Sequence, residues 1–359
     1  MEQKAAQASD IPENYLKYTG RKTVIIIFLV ILIVVLGVFA ICAGSADLTP
    51  GQVVMTLLGW GSESSEIVIW NIRLPRVVAA IVAGAGLSVA GCVMQNILRN
   101  PLADSFTLGI SQGAAFGAAF AIVVLGVGSI QTSSTDSVLI SNPYLVTISA
   151  FVFSMIATMV ILFLSSLVGV TPEAMVLAGV ALGSLFTAAT TLVQYFAEDV
   201  EIAAIVFWTF GDLGRASWRD TGIIAVLVVL AILYFMLHRW DYNALDSGEE
   251  TAKGLGVDVN KLRLGGMAIS SLISAVAVAF LGIIGFIGLV APHMMRRLIG
   301  GDHRFLIPGS AVMGCLLLLA ADTLARTLIK PVILPVGAIT SFLGAPLFLY
   351  LLSRGFKRK

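Results

Sequence analysis

The chain has 359 residues, 58% of them hydrophobic and 12% charged, with a mean hydropathy of +0.97 and a formal net charge of +1. Soluble domains carry about 25% charged residues, so this composition excludes an ordinary soluble enzyme and predicts an all-α polytopic membrane protein. The near-neutral charge, with no basic patch, argues against nucleic acid as a partner.

In chain order, residues 1–22 are largely polar and end on Arg21-Lys22. The apolar stretch 23–43 that follows is long enough to cross about 30 Å of hydrocarbon. A cleaved signal would have a shorter apolar core and a small residue before the cut. Ile41 stands before Cys42 instead, so the stretch reads as a membrane anchor. Further apolar segments follow at 77–95, 106–127, 143–168, 174–196, 221–238, 265–283, 285–299, 305–328 and 333–352, about ten transmembrane helices in all. With the N-terminus inside, most of the 22 Lys and Arg residues fall on the cytoplasmic side, as the positive-inside rule requires. Both termini are then cytoplasmic, and 23–359 forms a single transmembrane domain.

Two outward regions are longer than turns. Residues 48–76 carry Trp60 and Trp70, which suits an interfacial segment. Residues 128–142 are polar and low in charge, a surface loop. Glycines recur at 109, 113 and 117, at 179 and 183, and at 282, 285 and 288, and small residues at such spacings let helices approach closely in lipid. Cys42, Cys92 and Cys315 show neither metal nor disulfide spacing and read as packing residues.

The most polar run between apolar segments is 241–263. Ser247 resembles a helix cap, Glu249 and Glu250 suit a first turn, and Gly256 would stop the helix after Leu255. This predicts a short surface helix at the mouth of the bundle. Such a feature serves a protein that a partner pushes, not one that only spans.

The sequence holds no G-x-x-x-x-G-K-[ST] loop, no H-E-x-x-H and no catalytic constellation. An ion-coupled transporter would need buried acids, and Asp322 is the best candidate, spaced to pair with Arg326 one turn later. Arg73 and Arg76 read as interfacial anchors, His238 and His303 as membrane-edge residues, and His293, after Pro292, as a residue of helix geometry.

Several stretches carry a family resemblance. They are Arg73-Leu74-Pro75-Arg76, Arg99-Asn100-Pro101-Leu102-Ala103-Asp104, and Leu177-Ala178-Gly179-Val180-Ala181-Leu182-Gly183. With them go the 248–257 loop, Gly285-Phe286-Ile287-Gly288-Leu289-Val290-Ala291-Pro292-His293, and Leu334-Pro335-Val336-Gly337 with Gly344-Ala345-Pro346. In this order the chain resembles the FecCD family of ABC-importer permeases, which serve iron–siderophore, haem and cobalamin uptake. The resemblance implies a type II ABC importer permease-like fold in a prokaryotic cytoplasmic membrane. It implies a pair of permease subunits, either two copies of this chain or this chain with a second one. Two ABC ATPase subunits would sit beneath them and an extracytoplasmic substrate-binding protein above.

ATP hydrolysis would then belong to a separate chain, and neither cofactor nor metal is implied. The coupling residues would be Glu249, Glu250, Thr251, Ala252, Lys253, Gly254, Leu255, Gly256 and Val257. Arg73, Arg76 and Arg326 would dock the binding protein. The expected cargo is a ferric siderophore, followed by cobalamin and haem. Ser105, Asp212 and Ile333 depart from the family's usual proline, serine and glutamate.

Overall fold

A computed structural model describes residues 2–44, 48–127, 142–168, 171–329 and 331–356. The expected surface loop at 128–142 lies, but for Asn142, outside the described residues.

The chain opens with α1 (Glu2–Cys42), followed by two short helices, α2 (Pro50–Leu57) and α3 (Glu63–Glu66). A π-helical turn, Ile67–Arg73, carries α3 directly into α4 (Leu74–Ile97). The expected interfacial segment at 48–76 is therefore largely helical. Next come α5 (Ile110–Ala119), extended by a π turn at Phe120–Val124, then α6 (Pro143–Val168), α7 (Pro172–Tyr195) and α8 (Asp199–Thr209). A single 3-10 turn, Leu213–Arg215, leads to α9 (Trp218–Leu237), and the short helices α10 (Arg239–Asp246) and α11 (Glu249–Gly254) follow. The chain ends with α12 (Val259–Leu281), α13 (Ile287–Ile299), α14 (His303–Thr327) and α15 (Val336–Phe356).

Among the described residues, seven helices are long and apolar enough to cross a membrane: Tyr18–Cys42, Glu63–Ile97, Pro143–Ser165, Pro172–Tyr195, Trp218–Leu237, Val259–Leu281 and His303–Thr327. Of the ten segments expected, three fold into shorter pieces. Ile110–Val124 and Val336–Tyr350 are apolar but short. The 285–299 segment becomes the 13-residue α13, which at 1.5 Å per residue covers only about 20 Å.

Helix α4 is the centre of the bundle, packed by α9, α12, α13 and α14. Its sequence, LPRVVAAIVAGAGLSVAGCVMQNI, has no polar face, and a helix apolar all round belongs inside. Two glycine pairs bring backbones into contact. A Cβ on Gly84 or Gly314 would overlap the other's carbonyl oxygen, joining α4 to α14, and a Cβ on Gly91 would overlap the carbonyl of Gly288 on α13. By contrast, only 22% of the α1 span window and 17% of the α7 window are buried. Their apolar faces point away from the bundle.

Gly282 and Gly285 do not lie on a helix face. Gly282, at φ +77°, ends α12, and Phe286, at φ +68°, begins α13. Gly211, at φ +71°, packs against the carbonyl of Ile283 at this break.

Candidate functional site

The polar run expected to form a partner-facing helix folds as two short helices joined at a sharp corner. Ser247 closes α10 instead of opening the next helix, and Gly248, at φ +122°, takes the capping position of α11. Only glycine adopts that backbone without strain. The predicted stop at Gly256 is present. The amide of Val257 donates to Ala252 O at 3.0 Å and that of Gly256 to Lys253 O at 2.9 Å. This is a Schellman ending, with Gly256 at φ +86°.

On this knob, Glu250 is 91% exposed and Leu255 70% exposed, whereas Ala252 is buried. Lys253 bridges Glu250 at 3.2 Å and Glu249 at 3.4 Å, and its hydrogen bonds to both raise its pKa. Glu249 has a second partner, Arg263 at 2.7 Å on α12. The Arg263 hydrogen bond, joined by that of Lys253, holds the Glu249 carboxyl below its ordinary range. Thr251, Gly254 and Val257 complete the segment, and nothing lies within 4 Å of a Cβ placed on Gly254.

Arg263 is 1% exposed, and its Nε donates to Ile97 O at the end of α4 at 3.1 Å. One residue earlier, Asn96 donates to Tyr242 O at 3.2 Å and to Asp246 Oδ1 at 2.7 Å, both on α10. Gln95 donates to Gly288 O at 3.2 Å and accepts from Arg296 at 3.2 Å, both on α13. A second tie runs from α10 to α14: Asn243 donates to Asp302 at 3.1 Å and accepts from the His303 amide at 2.8 Å. Burial alone would raise Asp302, but hydrogen bonds from Arg304 and Asn243 prevail and hold it at about 2. His303, the first residue of α14, is buried here.

At the other end of α4, the expected Asp322–Arg326 pair forms at 2.9 Å. It belongs to a larger cluster. Arg76 donates to Asp322 Oδ1 at 2.8 Å and lies 3.3 Å from Asp212. Arg326 also donates to Ala40 O and Ala43 O, and Arg73 donates to Ile41 O and Cys42 O, all at the end of α1. These carbonyls have no partner within their own helix and carry its negative pole. The three arginines are 5%, 6% and 7% exposed, so in this chain they are committed inward.

Sequence reading brought Arg73, Arg76 and Arg326 to one end and residues 249–257 to the other. It did not single out Arg263, Asn96 or Asn243. The available signal was Arg263 itself, a charge placed where an apolar span begins and therefore in need of a partner.

The chain is similar to known proteins over nearly all of its length. The model of the FecCD transport family matches residues 31–354. An ABC transporter permease protein of Methanocaldococcus jannaschii is 57% identical over 97% of this chain and 99% of its own length. The hemin transport system permease protein HmuU of Yersinia pestis is 39% identical over 91% and 94%. A solved structure described as an inward-facing, metal-chelate type ABC transporter superposes with a TM-score of 0.80 at 29% identity, covering 92% of this chain and 99% of its own. With a central all-helical bundle, an exposed short helix tied to its core and a family match across 31–354, this multi-pass membrane chain belongs to the FecCD transport family.

Proposed function

We propose that this chain is the permease subunit of an ATP-driven importer that moves a metal chelate, first of all a ferric siderophore, by alternating access. The observation that carries the reading is the knob: α11 exposes Glu250 and Leu255 while its base is pinned to the bundle by buried Arg263. A surface helix rigidly tied to the core suits a part that a separate ATPase pushes. Two ATPases would seat α11 on the cytoplasmic side, closing on ATP and rocking two permease subunits about a shared path. The binding protein would deliver cargo at the opposite end, where Arg73, Arg76 and Arg326 shape the platform. In this reading the chain crosses the membrane ten times, with α5, α13 and α15 as the shorter passes and both termini in the cytoplasm.

Transport driven by ion exchange at Asp322 finds no support. Both of its oxygens are taken, Oδ1 by Arg76 and Oδ2 by Arg326. The relatives are named for hemin, Fe(3+)-citrate, cobalamin and iron(3+)-hydroxamate transport, which is why a chelate is proposed and several classes must be offered. The test is uptake in cells lacking their own importers, supplied with this chain, its ATPase and its binding protein. Labelled ferric siderophores, haemin and cobalamin are offered in turn, with and without ATP depletion. ATP-dependent uptake of a ferric siderophore is the expected result. Uptake that persists after ATP depletion would overturn the mechanism.

A further inference from the structure

The last residues of α4 join three different elements. Successive side chains of a helix point about 100° apart, so those of Gln95 and Asn96 face different neighbours, while the free carbonyl at the helix end points along the axis. Gln95 reaches α13, Asn96 reaches α10, and the carbonyl of Ile97 takes Nε of Arg263, whose Nη2 holds Glu249 on the knob. Gln95, Asn96 and Arg263 are all at most 3% exposed. Donors buried in this way are costly to leave without their partners.

The same helix has its second set of polar links at the far end. Arg76 lies twenty residues before Asn96, about 30 Å along the axis, and holds Asp322 and Asp212. Between the two ends, α4 touches α14 and α13 backbone to backbone at the glycine pairs. Such contacts leave little room for sliding or for side chains to absorb a push. A helix gripped at both ends and close-packed between them moves as a rod.

We propose that residues 95–97 form a three-way joint passing a displacement of the knob to α4, and through α4 to the arginine end, with Asn96 and Arg263 as its positioning residues. This rests on the reading of α11 as the ATPase contact. The joint explains why α10 and α11 are both fastened to α4: one link through Asn96 fixes position, and a second through Arg263 resists rotation. It assigns Glu249 an inward role, holding Arg263, while Glu250 and Leu255 face the partner.

Connectivity alone does not establish coupling, so the test reads movement at the far end. Spin labels are placed on Phe207→Cys, five residues before Asp212, and Leu328→Cys, two residues after Arg326, both exposed, in the complete complex in lipid with the native cysteines replaced by alanine. The label distance is compared without nucleotide and with ATP plus vanadate. The intact joint is expected to show a nucleotide-dependent shift. Glu249→Gln, which changes only a partly exposed side chain, and Asn96→Asp, which sets two carboxylates against each other, should hydrolyse ATP yet lose the shift. Asn96→Asp combined with Asp246→Asn restores a donor facing an acceptor and should regain it.

A purely structural role would lower folded yield without this reversal. An unchanged shift in Glu249→Gln and in Asn96→Asp would overturn the joint. Failure of the knob reading shows separately, as ATPase that stays bound to a Leu255→Asp variant.

Discussion

Asp104 accepts the amides of Phe106 and Thr107 on one oxygen, Oδ1, at 3.1 and 2.9 Å. Asparagine could do the same without the charge. Burial pushes this carboxyl up to about 6 from 3.8, against the opposing pull of its hydrogen bonds to Thr107 and Phe106. The folded chain therefore holds the proton more tightly than the unfolded one, and stability falls as pH rises between those two values. The shift of about two units corresponds to at most about 3 kcal/mol. Asp104→Asn should raise the thermal midpoint above pH 6, with the difference shrinking toward pH 4. A midpoint difference independent of pH would contradict this. The arginine end makes the opposite kind of prediction. Removing Arg76 leaves Oδ1 of the fully buried Asp322 without its donor, while Arg326 still holds Oδ2, and a buried acceptor left unmet costs about 1–3 kcal/mol. Arg76→Ala should thus lower folded yield and thermal stability, even with no binding protein present. If its only role were docking, stability would be unchanged. The Asp322–Arg326 pair was legible because both residues lie on one helix. The approach of Arg76, 246 residues away, was not, since no local spacing encodes it.

Helices owe their placement here to small residues more than to stripes. Gly91→Val sets a branched side chain into the carbonyl of Gly288, and backbone cannot yield as a side-chain tip can. Overpacking of this kind costs about 1–3 kcal/mol or more. Gly37→Val meets nothing within 4 Å and should change stability by no more than about 0.5 kcal/mol. Comparable thermal midpoints for the two variants would refute the close-crossing account. At the knob, Gly256→Val forces a branched residue to φ +86°, a cost of about 1–2 kcal/mol. It should loosen α11 and weaken ATPase binding, read by copurification. The sequence disclosed this stop, because a glycine after acidic and helix-forming residues signals an ending. It misdirected at Ser247: serine is a good cap, but the corner between α10 and α11 demands positive φ, which Gly248 supplies. The 282–288 glycines misled similarly. Their three-residue spacing suits a helix face, yet Gly282 and Gly285 lie at the break between α12 and α13, and only Gly288, inside α13, makes the close approach expected of it, to Gly91.

For the molecule as a whole, composition was sufficient to read the class, and the long spans were found within about six residues, except that the one starting at Glu63 was expected only from residue 77. Short apolar helices are harder. An amphipathic 13-residue helix such as α13, ending in Arg296 and Arg297, leaves a weaker hydropathy trace than a full crossing, and the π turns after α3 and α5 have no period that a pattern of side chains reveals. The knob could be read because charge stands out between apolar runs. Its attachment could not, because Asn96 and Arg263 lie on opposite sides of it in sequence. In the proposed mechanism the exposed face of α11 converts ATP hydrolysis into transport. The decisive quantity is the ratio of ferric siderophore moved to ATP hydrolysed, in vesicles holding the chain with its ATPase and binding protein. Glu250→Lys reverses a charge that is almost wholly exposed, and Gly254→Trp fills open space. Both should fold and hydrolyse ATP while the ratio collapses. A wild-type ratio in both variants would contradict the account.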